Sequence, residues 1–413
     1  MAWQNVWRNK MKTILVILSM ALSLVIFNIT VSLVESFNED KYLSNFASTD
    51  FTIADASLIN RNGLEVEFEG VGQEQIDYLS QIKGLESIGA IYLRMALHKL
   101  EGSPLHKVQK YYTEIASNLS SNELNQLKES IFGKNEITSM IAGIDKVVFD
   151  QINAVEGTLN WDQFKTGNYV IVSSTNEELI DKGLPKSFYE VGDAINIKNG
   201  EGAIDTYKVM AVGDIPYAMG PEFSSTIGIN ILLPSDQYLK GDQEAKAMKL
   251  FVNINDDYQT EAEKIITELC SEKEPQLDFN SRMKFKEGFR NMKGMIFLIG
   301  ACLSFILALI GILNFVNLIY TSINERRKEL KTLNVIGMTL DQIKQMLVAE
   351  GVIRVVITYL IVLTIGLAVN SLLLHSISGQ IIMFEYKLVI WPILISMPIL
   401  LLIAQWVPRK IKW

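Results

Sequence analysis

Few side chains in this 413-residue chain could do chemistry, and none has the spacing of a known catalytic or metal-binding motif. His98 and His106 lie eight residues apart with no carboxylate at metal-ligand spacing, so we interpret both as surface histidines. Glu65, Glu67 and Glu69 alternate along a predicted strand and therefore share one face. A cation site is one interpretation of that face, and a solvated strand is the simpler one. The sequence predicts no metal site.

The motifs of nucleotide hydrolysis and of common hydrolases are also absent. The chain contains no G-x-x-x-x-G-K-[ST] phosphate loop, no G-x-S-x-G elbow and no H-E-x-x-H pair. We therefore expect no catalytic residue, no enzymatic activity and no bound cofactor in this chain.

The most informative polar segment is 322–351, which lies between two long apolar runs. Charged residues crowd Glu325–Lys331, while Leu330 and Leu333 keep a helical apolar spacing. Asn334–Gly337 interrupts that spacing, and Thr339 with Gln three residues later predicts a capping box that begins a second helix. Such a compact charged pair of helices is typical of an element that binds a cytosolic partner.

The chain contains four uncharged runs, namely 13–34, 294–324, 355–384 and 388–408. The second and third lie on either side of this segment. Each is long enough to cross a bilayer, which takes about 20 apolar residues. The first run is too long for the apolar core of a signal peptide, and no small-x-small cleavage site follows it. We predict four transmembrane helices, the first of them retained.

Lys and Arg residues predict the orientation of these helices. Three precede the first run, five lie between the second and third, and three follow the fourth: Arg8, Lys10, Lys12; Arg326, Arg327, Lys328, Lys331, Lys344; Arg409, Lys410, Lys412. By the positive-inside rule both termini and the 2–3 loop are cytoplasmic. Trp3 and Trp7 share an apolar face, which predicts an amphipathic helix in the inner interface.

The segment 36–290 should then lie outside the membrane. It holds 40 acidic and 24 basic residues, a net charge of −16, whereas the rest of the chain carries +8. This balance argues against nucleic acid as a partner; solubility explains it most simply, and a preference for cationic ligands is the alternative. The two cysteines, Cys270 and Cys302, fall in different predicted regions, so we expect no disulfide.

Short apolar strands and helices mix in this outer segment without strict alternation, which favours an α+β fold. We predict strands near 51–54, 88–97, 138–144, 169–174, 194–198, 206–212, 227–233 and 250–254, and helices near 73–82, 121–131 and 258–271. The turn Asn199–Gly202 predicts a hairpin.

The resulting organisation has nine parts. We predict 1–12 as a cytoplasmic amphipathic helix, 13–35 as transmembrane helix 1, 36–290 as the extracytoplasmic α+β domain, 291–320 as transmembrane helix 2, 321–350 as cytoplasmic coupling helices, 351–375 as transmembrane helix 3, 376–387 as a short external loop, 388–408 as transmembrane helix 4, and 409–413 as a cytoplasmic tail.

Two pairs of polar residues near the membrane have predictable partners. Glu350 and Arg354 are four residues apart on one helix, which predicts an ion pair. Asn314 and Asn317 lie near the inner end of the second span, where they could bond across a helix interface. A substrate path through the membrane is the alternative for the two asparagines.

The 2–3 loop resembles the signature of FtsX/MacB-type ABC transporter permeases. Glu325–Gly337 fits the pattern E-R-R-x-E-[IL]-x-x-L-[KR]-x-x-G, with Asn334 where Lys or Arg is common, and Glu350-Gly351 follows as in that family. Weaker likeness extends over the N-terminus and the outer segment, including Trp161–Ser173. Phe37–Ala56 is similar to the second half of long two-repeat permeases of Gram-positive bacteria.

That resemblance implies a fold, partners and site residues. The fold is one span, a large MacB-like periplasmic-core domain and three more spans. The partners are a cytoplasmic ABC ATPase subunit that binds ATP, a second permease half or copy, membrane lipids, and a peptide or lipid substrate. The implied coupling residues are Glu325, Arg326, Arg327, Glu329, Leu330, Leu333, Gly337 and Glu350, and we expect Leu330 and Leu333 to enter the ATPase groove.

Three functions remain open at this point. The first is a permease subunit that transmits ATP-driven motion for export or removal of an amphiphile such as a peptide antibiotic or lipid. The second is transport-free regulation of a cell-wall hydrolase, and the third is a membrane sensor without an ATPase. The family usually continues with a short tail where this chain ends at Trp413, so half-permease and fragment are both open.

Overall fold

A computed structural model describes residues 2–8, 10–60, 68–115, 128–173, 186–199, 202–220, 229–240, 244–378, 380–381 and 383–410. The chain forms two compact units. The α+β unit is Leu43–Lys286, and the helical unit combines Met1–Tyr42 with Glu287–Trp413.

The helices, in chain order, are α1 Ala2–Val6, α2 Lys10–Ser36, α3 Glu39–Phe46, α4 Ala56–Asn60, α5 Gln73–Leu79, α6 Gly102–Ile115, α7 Lys146–Phe149, α8 Trp161–Phe164, α9 Ser235–Leu239, α10 Gln259–Glu268, α11 Arg282–Glu325, α12 Arg327–Val335, α13 Leu340–Ile361, α14 Leu367–Ser378 and α15 Trp391–Lys410. Three π-helical turns (Lys128–Lys134, Leu269–Lys273, Val362–Gly366) and one 3-10 turn (Asp256–Tyr258) accompany them.

The strands are β1 Phe51–Asp55, β2 Leu85–Lys99, β3 Glu136–Ile144, β4 Asn153–Gly157, β5 Tyr169–Val172, β6 Ala194–Lys198, β7 Ile204–Asp214, β8 Asn230–Pro234, β9 Lys249–Ile254 and β10 Leu277–Ser281. They form one sheet in the order β10-β1-β9-β2-β3-β8-β5-β7-β4, with β6 pairing to β2 and β7. The β3–β8 and β5–β7 pairs are parallel, and the other pairs are antiparallel. The predicted α+β class is confirmed.

Both faces of this sheet are covered, which explains its continuous apolar strands. Neighbouring residues enter opposite cores: Ile53 and Ile141 pack into one cluster, and Ala54 and Met140 into the other. This alternation follows from the two-residue period of a strand. The α+β unit therefore has a core of its own on each side of the sheet.

The helical unit holds the apolar runs. Within the described ranges, four helices are long and apolar enough to cross a membrane by length and composition: Lys10–Ser36, Arg282–Glu325, Leu340–Ser378 and Trp391–Arg409. The third includes the π-helical turn Val362–Gly366. One apolar cluster of this unit joins residues of α2, α11, α13 and α15.

The structure differs from the sequence expectations in several elements, and it includes two strands that were not predicted, β4 and β10. The helix α6 was not predicted, and the predicted helix 121–131 lies outside the described residues up to position 127, after which a π-helical turn follows. At the N-terminus the helix ends at Val6, and α2 begins at Lys10. Of the three alternating glutamates, Glu65 and Glu67 lie outside the described residues.

His98 corrects a further expectation, because it is buried rather than on the surface. Its side chain is 2% exposed, with Nδ1 2.8 Å from the Ser139 hydroxyl and Nε2 2.7 Å from the Tyr189 hydroxyl. Its burial lowers the pKa of His98 to about 4. The imidazole is therefore a neutral part of the core, whereas His106 is exposed.

Candidate functional site

The charged segment between the second and third apolar helices is a tight helical turn. At the start of α13, Thr339 and Gln342 form the predicted capping box, with the Gln342 amide 3.3 Å from the Thr339 hydroxyl and the Thr339 amide 2.9 Å from the Gln342 carboxamide oxygen. Gly337 lies between α12 and α13 with φ of +115°, a conformation that side chains disfavour. Local signals therefore set the geometry of this turn.

A buried ionic network lies behind the turn. Arg326 donates from Nη1 to the Glu350 carboxylate at 2.9 Å, and Asn5 of α1 donates to the same oxygen at 2.8 Å. Glu350, Arg326 and Arg354 are 1%, 6% and 3% exposed. Burial alone would lower the pKa of Arg326, but hydrogen bonds to Glu350 and Glu329 raise it. The network fixes the first residues of α12 against α13 and α1.

The predicted Glu350–Arg354 ion pair is wrong. Glu350 instead forms its ion pair with Arg326, 24 residues earlier in the chain, because the turn brings the start of α12 against α13. The Nε atom of Arg354 is buried without a hydrogen-bond partner among the described residues. Arg354 therefore adds a second buried positive charge beside Glu350.

Exposed ion pairs attach the N-terminal segment to the same element. Arg8 Nη1 lies 2.7 Å from the Glu329 carboxylate, and Lys12 Nζ lies 2.9 Å from the Glu325 carboxylate. Hydrogen bonds from Arg8 and then Arg326 hold the pKa of Glu329 below its usual value. Because each pair is half exposed, its own contribution is small, but together they brace α12.

Some of the predicted coupling residues have buried side chains and others have exposed ones. Leu330 is 2% exposed and packs into the helical core with Ile343 and Leu347, and Leu333 is half-buried against the same core. The expectation that Leu330 enters a partner's groove is therefore corrected, since its apolar surface is already buried within this unit. Arg327, by contrast, is exposed.

The surface that the turn does present is what we call the exposed tip, consisting of Arg327, Lys328, Lys331, Val335 and Ile336. Val335 is 86% exposed and Ile336 77% exposed, directly before Gly337. The three basic side chains are exposed and make no ion pair among the described residues. An apolar knob beside three positive charges can bind a partner that offers an apolar groove edged by carboxylates.

Sequence reasoning missed the apolar half of this tip. We interpreted Asn334–Gly337 only as the break between two helices. The available signal was the pair Val335-Ile336 immediately before a turn glycine, where a short turn gives large β-branched side chains little surface to bury against. Their exposure contrasts with the buried Leu330 five residues earlier.

The remaining predicted residues are not gathered at this site. Trp3 is 58% exposed, and its ring lies 6.1 Å from that of Trp7. Asn314 and Asn317 line an open groove of about 310 Å³ beside Met11 and Leu15, and neither amide forms a hydrogen bond among the described residues. The predicted bond across a helix interface is therefore absent from the described part of the chain.

Metal and redox chemistry have little to build on. Among the described residues no group of three or more His, Cys, Asp or Glu side chains could hold a metal ion. Cys270 and Cys302 are both free thiols. Burial raises the pKa of Cys270 to about 11, so its reactive thiolate form is suppressed.

Comparison with known proteins supports the resemblance of the loop. Residues 301–407 match the family model described as FtsX-like permease C-terminal, a range that contains α12, α13 and α14 with parts of α11 and α15. The resemblance to FtsX/MacB-type permeases is confirmed over this region. No curated protein matches the chain in the sequence comparison.

Some solved structures have limited similarity to this chain. They are the periplasmic region of MacB from Actinobacillus actinomycetemcomitans (14% identity, 60% of this chain, 96% of that one, TM-score 0.37) and the extracellular domain of the noncanonic ABC-type transporter YknZ from Gram-positive bacteria (11%, 56%, 99%, 0.32). A domain of a putative permease protein from Porphyromonas gingivalis gives 13%, 57%, 89% and 0.26. Similarity at this level carries no weight for fold or activity.

Proposed function

We propose that this chain, whose C-terminal region is similar to FtsX-like permeases, is the membrane subunit of an ABC transporter and receives ATP-driven motion from a separate cytoplasmic ATPase. The observation that carries the proposal is the exposed tip. It presents Val335 and Ile336 to solvent on a turn fixed from behind by the Arg326–Glu350 pair. A simple connection between two spans needs neither feature.

The proposed setting is a cell membrane crossed four times, with both termini and the tip in the cytoplasm. The apolar helices support it, because α11 alone exposes large side chains such as Leu298, Ile299 and Phe305 at 62%, 70% and 64%. Water is a poor surrounding for such a surface, and lipid or a second permease half or copy would cover it. The lysine and arginine distribution supports the orientation, and the α+β unit is then extracytoplasmic. We place the chain in a Gram-positive bacterium.

The tip would work as a docking knob that is stiff at its base. Burying Val335 and Ile336 in a groove would contribute about 1.5–3 kcal/mol each. Arg327, Lys328 and Lys331 would set the orientation against acidic residues on the ATPase. The buried network and the N-terminal ion pairs keep α12 fixed to α13, so a push on the tip moves the helices instead of deforming the turn.

The work at the other side of the membrane would be export or removal of an amphiphile, such as a peptide antibiotic or a lipid. In this scheme the chain itself performs no catalysis and binds no cofactor, and ATP is bound by the partner. The α+β unit would handle the amphiphile, and the helical unit would carry the movement.

The test is co-purification from the native host with the full chain tagged at its C-terminus. We expect an ABC ATPase subunit to co-purify with the wild-type chain and its ATP hydrolysis to rise in the complex. Ile336→Asp places a charge on the apolar knob and should abolish both effects. Because Ile336 is 77% exposed, the variant should insert into the membrane like the wild type and have the same free energy of unfolding.

Lys344→Ala is the matched control on α13, since Lys344 is half-exposed and pairs only loosely with Asp341 at 3.9 Å. It should retain the ATPase. Co-purification that survives Ile336→Asp, or fails in both variants, would refute docking through the tip. Leu330→Ala should also reduce binding, but together with a loss of stability, which separates a core residue from a docking residue.

A further inference from the structure

A small pocket in the α+β unit combines apolar walls with one unpartnered amide. Its volume is about 180 Å³, below the roughly 300–1,000 Å³ of pockets that enclose a drug-sized ligand, so it has room for only part of a ligand. Ile215 and Pro216 form part of its wall. Its floor is one face of the sheet, with apolar side chains from β2, β3 and β8: Leu93, Met140, Ala142 and Leu232. A group held there would lie mainly against hydrocarbon.

The side chain of Asn230 lines this pocket without a hydrogen bond of its own. The backbone of Asn230 is bonded on both sides to Ser173: its N–H donates to the hydroxyl at 3.2 Å, and its carbonyl accepts from the Ser173 N–H at 2.9 Å. The side-chain Oδ1 is buried and has no partner among the described residues. A buried acceptor without a donor is rare, and leaving it unpaired costs stability. A ligand that brings an N–H or O–H into the pocket would complete it.

The lining of the pocket disfavours an anionic headgroup. In the part of the chain that the structure describes, no lysine, arginine or histidine lines it, and its one charged side chain is the carboxylate of Asp214. A phosphate would therefore meet apolar groups and a like charge instead of a cation. A peptide group is neutral, and its N–H donor and carbonyl acceptor match the acceptor and donor of a side-chain amide.

The apolar floor continues beyond the pocket onto an exposed part of the sheet. Leu93, Met95 and Leu97 alternate along β2 and so share one face. Met95 is 41% exposed and Leu97 50% exposed, and Met95 pairs across to Met140 of the pocket floor. Four residues of a strand span about 13 Å, so an extended segment of about five residues is long enough to reach from the pocket to Leu97.

We propose that this pocket and the exposed face of β2 bind an extended apolar peptide segment, with one side chain in the pocket and a peptide N–H donating to Asn230 Oδ1. The inference deepens the proposed function and rests on it, because it selects a peptide over a lipid as the amphiphile. Binding to this face needs neither ATP nor the ATPase, whereas co-purification tests only the exposed tip. The two proposals can therefore fail separately.

The experiment is photo-crosslinking of the full chain in maltoside micelles, with the crosslinked residues identified by mass spectrometry. The probe is an acetylated and amidated pentapeptide, serine–leucine–leucine–valine–serine, with photo-leucine at its centre. We expect its crosslinks on β2 and β3, near Leu93, Met95 and Met140. Crosslinks confined to the apolar helices, or spread over the surface without preference, would overturn the proposal.

Competition by unlabelled ligands measures affinity at the same site. The matched analogue of the peptide has an ester oxygen in place of the central N–H, so it keeps the shape and loses only the donor. We expect it to compete about fivefold less well than the peptide, the effect of one neutral hydrogen bond. Dihexanoylphosphatidylglycerol and dihexanoylphosphatidylethanolamine, used below their critical micelle concentrations, should not compete. Competition by either lipid at the concentration of the peptide would overturn the choice of a peptide.

Variants of the protein test the contacts. Asn230→Leu removes the amide and should abolish the difference between the peptide and its ester, whereas Leu97→Ser should weaken peptide binding about fivefold by removing apolar surface. Val155→Ser is the matched control, since Val155 is 42% exposed on β4 and does not line the pocket. If Asn230→Leu fails to fold, the ester and Leu97→Ser decide. A peptide–ester difference that persists in Asn230→Leu, or an equal loss in Val155→Ser, would overturn the proposal.

Discussion

Removing the carboxylate of Glu350 should destabilise the helical unit more than removing either arginine beside it. Glu350 is the only buried carboxylate of that unit among the described residues, and Arg326 and Arg354 are the buried cations next to it. Glu350→Gln leaves two buried positive charges without a buried acid. Arg326→Met leaves one charge of each sign, with Asn5 still bonded to Glu350 at 2.8 Å.

The expected losses in the free energy of unfolding follow from the buried charges that each variant leaves. Breaking a buried pair by removing the acid costs about 3–5 kcal/mol of the free energy of unfolding. Removing Arg326 should cost about 1–3 kcal/mol, because Glu350 keeps a hydrogen bond and a nearby cation. Arg8→Gln, which breaks only the exposed pair with Glu329, should cost about 0–1 kcal/mol.

Tryptophan fluorescence can measure this unit alone. Five of the six tryptophans lie in the helical unit, and the sixth, Trp161, lies in the α+β unit. In a Trp161→Phe background, denaturant titration in detergent micelles then reports on the helical unit. If Arg326→Met proves more costly than Glu350→Gln, or if Glu350→Gln stays within about 1 kcal/mol of the parent, the assignment of Glu350 as the shared counter-ion is refuted.

Three further outcomes are expected. Gly337→Ala should cost roughly 1–2 kcal/mol through its φ of +115° alone, whereas Gly288→Ala, in the second turn of α11, should be neutral or stabilising, and thermal unfolding of both decides. The neutral buried His98 has a pKa of about 4, against about 6.5 in the unfolded chain, so the unfolded state binds the proton first as the pH falls. The free energy of unfolding should therefore decrease by about 3 kcal/mol between pH 6.5 and pH 4. His98→Gln should remove that part of the pH dependence, which urea titrations at several pH values measure. A cysteine at Asn199 should be labelled by an impermeant thiol reagent outside intact cells and one at Lys331 should not; the reverse pattern would defeat the proposed orientation.

The parts of the fold that local signals determine could be predicted from the sequence. The strand at Phe51–Asp55, the capping box at Thr339 and the glycine turn at Gly337 each depend on residues within a few positions. The four apolar helices could be recognised because their length and hydropathy need no knowledge of packing. In these regions periodicity and capping are sufficient.

Features that depend on distant partners could not be predicted. The strand β10 is short and half polar, and its pairing with β1 joins Phe51 to Ser281. His98 becomes buried only because Ser139 and Tyr189, 41 and 91 residues away, supply hydrogen bonds. The i, i+4 spacing favoured Arg354 for Glu350, but the fold brought Arg326 to it instead. Helical spacing alone could not tell whether Leu330 faces a partner or the chain's own core.

We call the contacts of Asn5, Arg8 and Lys12 with the helices α11 to α13 the N-terminal brace. These contacts imply an order in which parts of the helical unit assemble. Asn5, Arg8 and Lys12 bind Glu350, Glu329 and Glu325, which follow them by 345, 321 and 313 residues. A ribosome adds about 5–20 residues per second, so the first turn of the chain waits about 17–70 s for Glu350 to be synthesised. Asn5, Arg8 and Lys12 are therefore synthesised long before the residues that they contact. A bulky N-terminal fusion that blocks this late step should leave inserted spans and a charged turn without its brace.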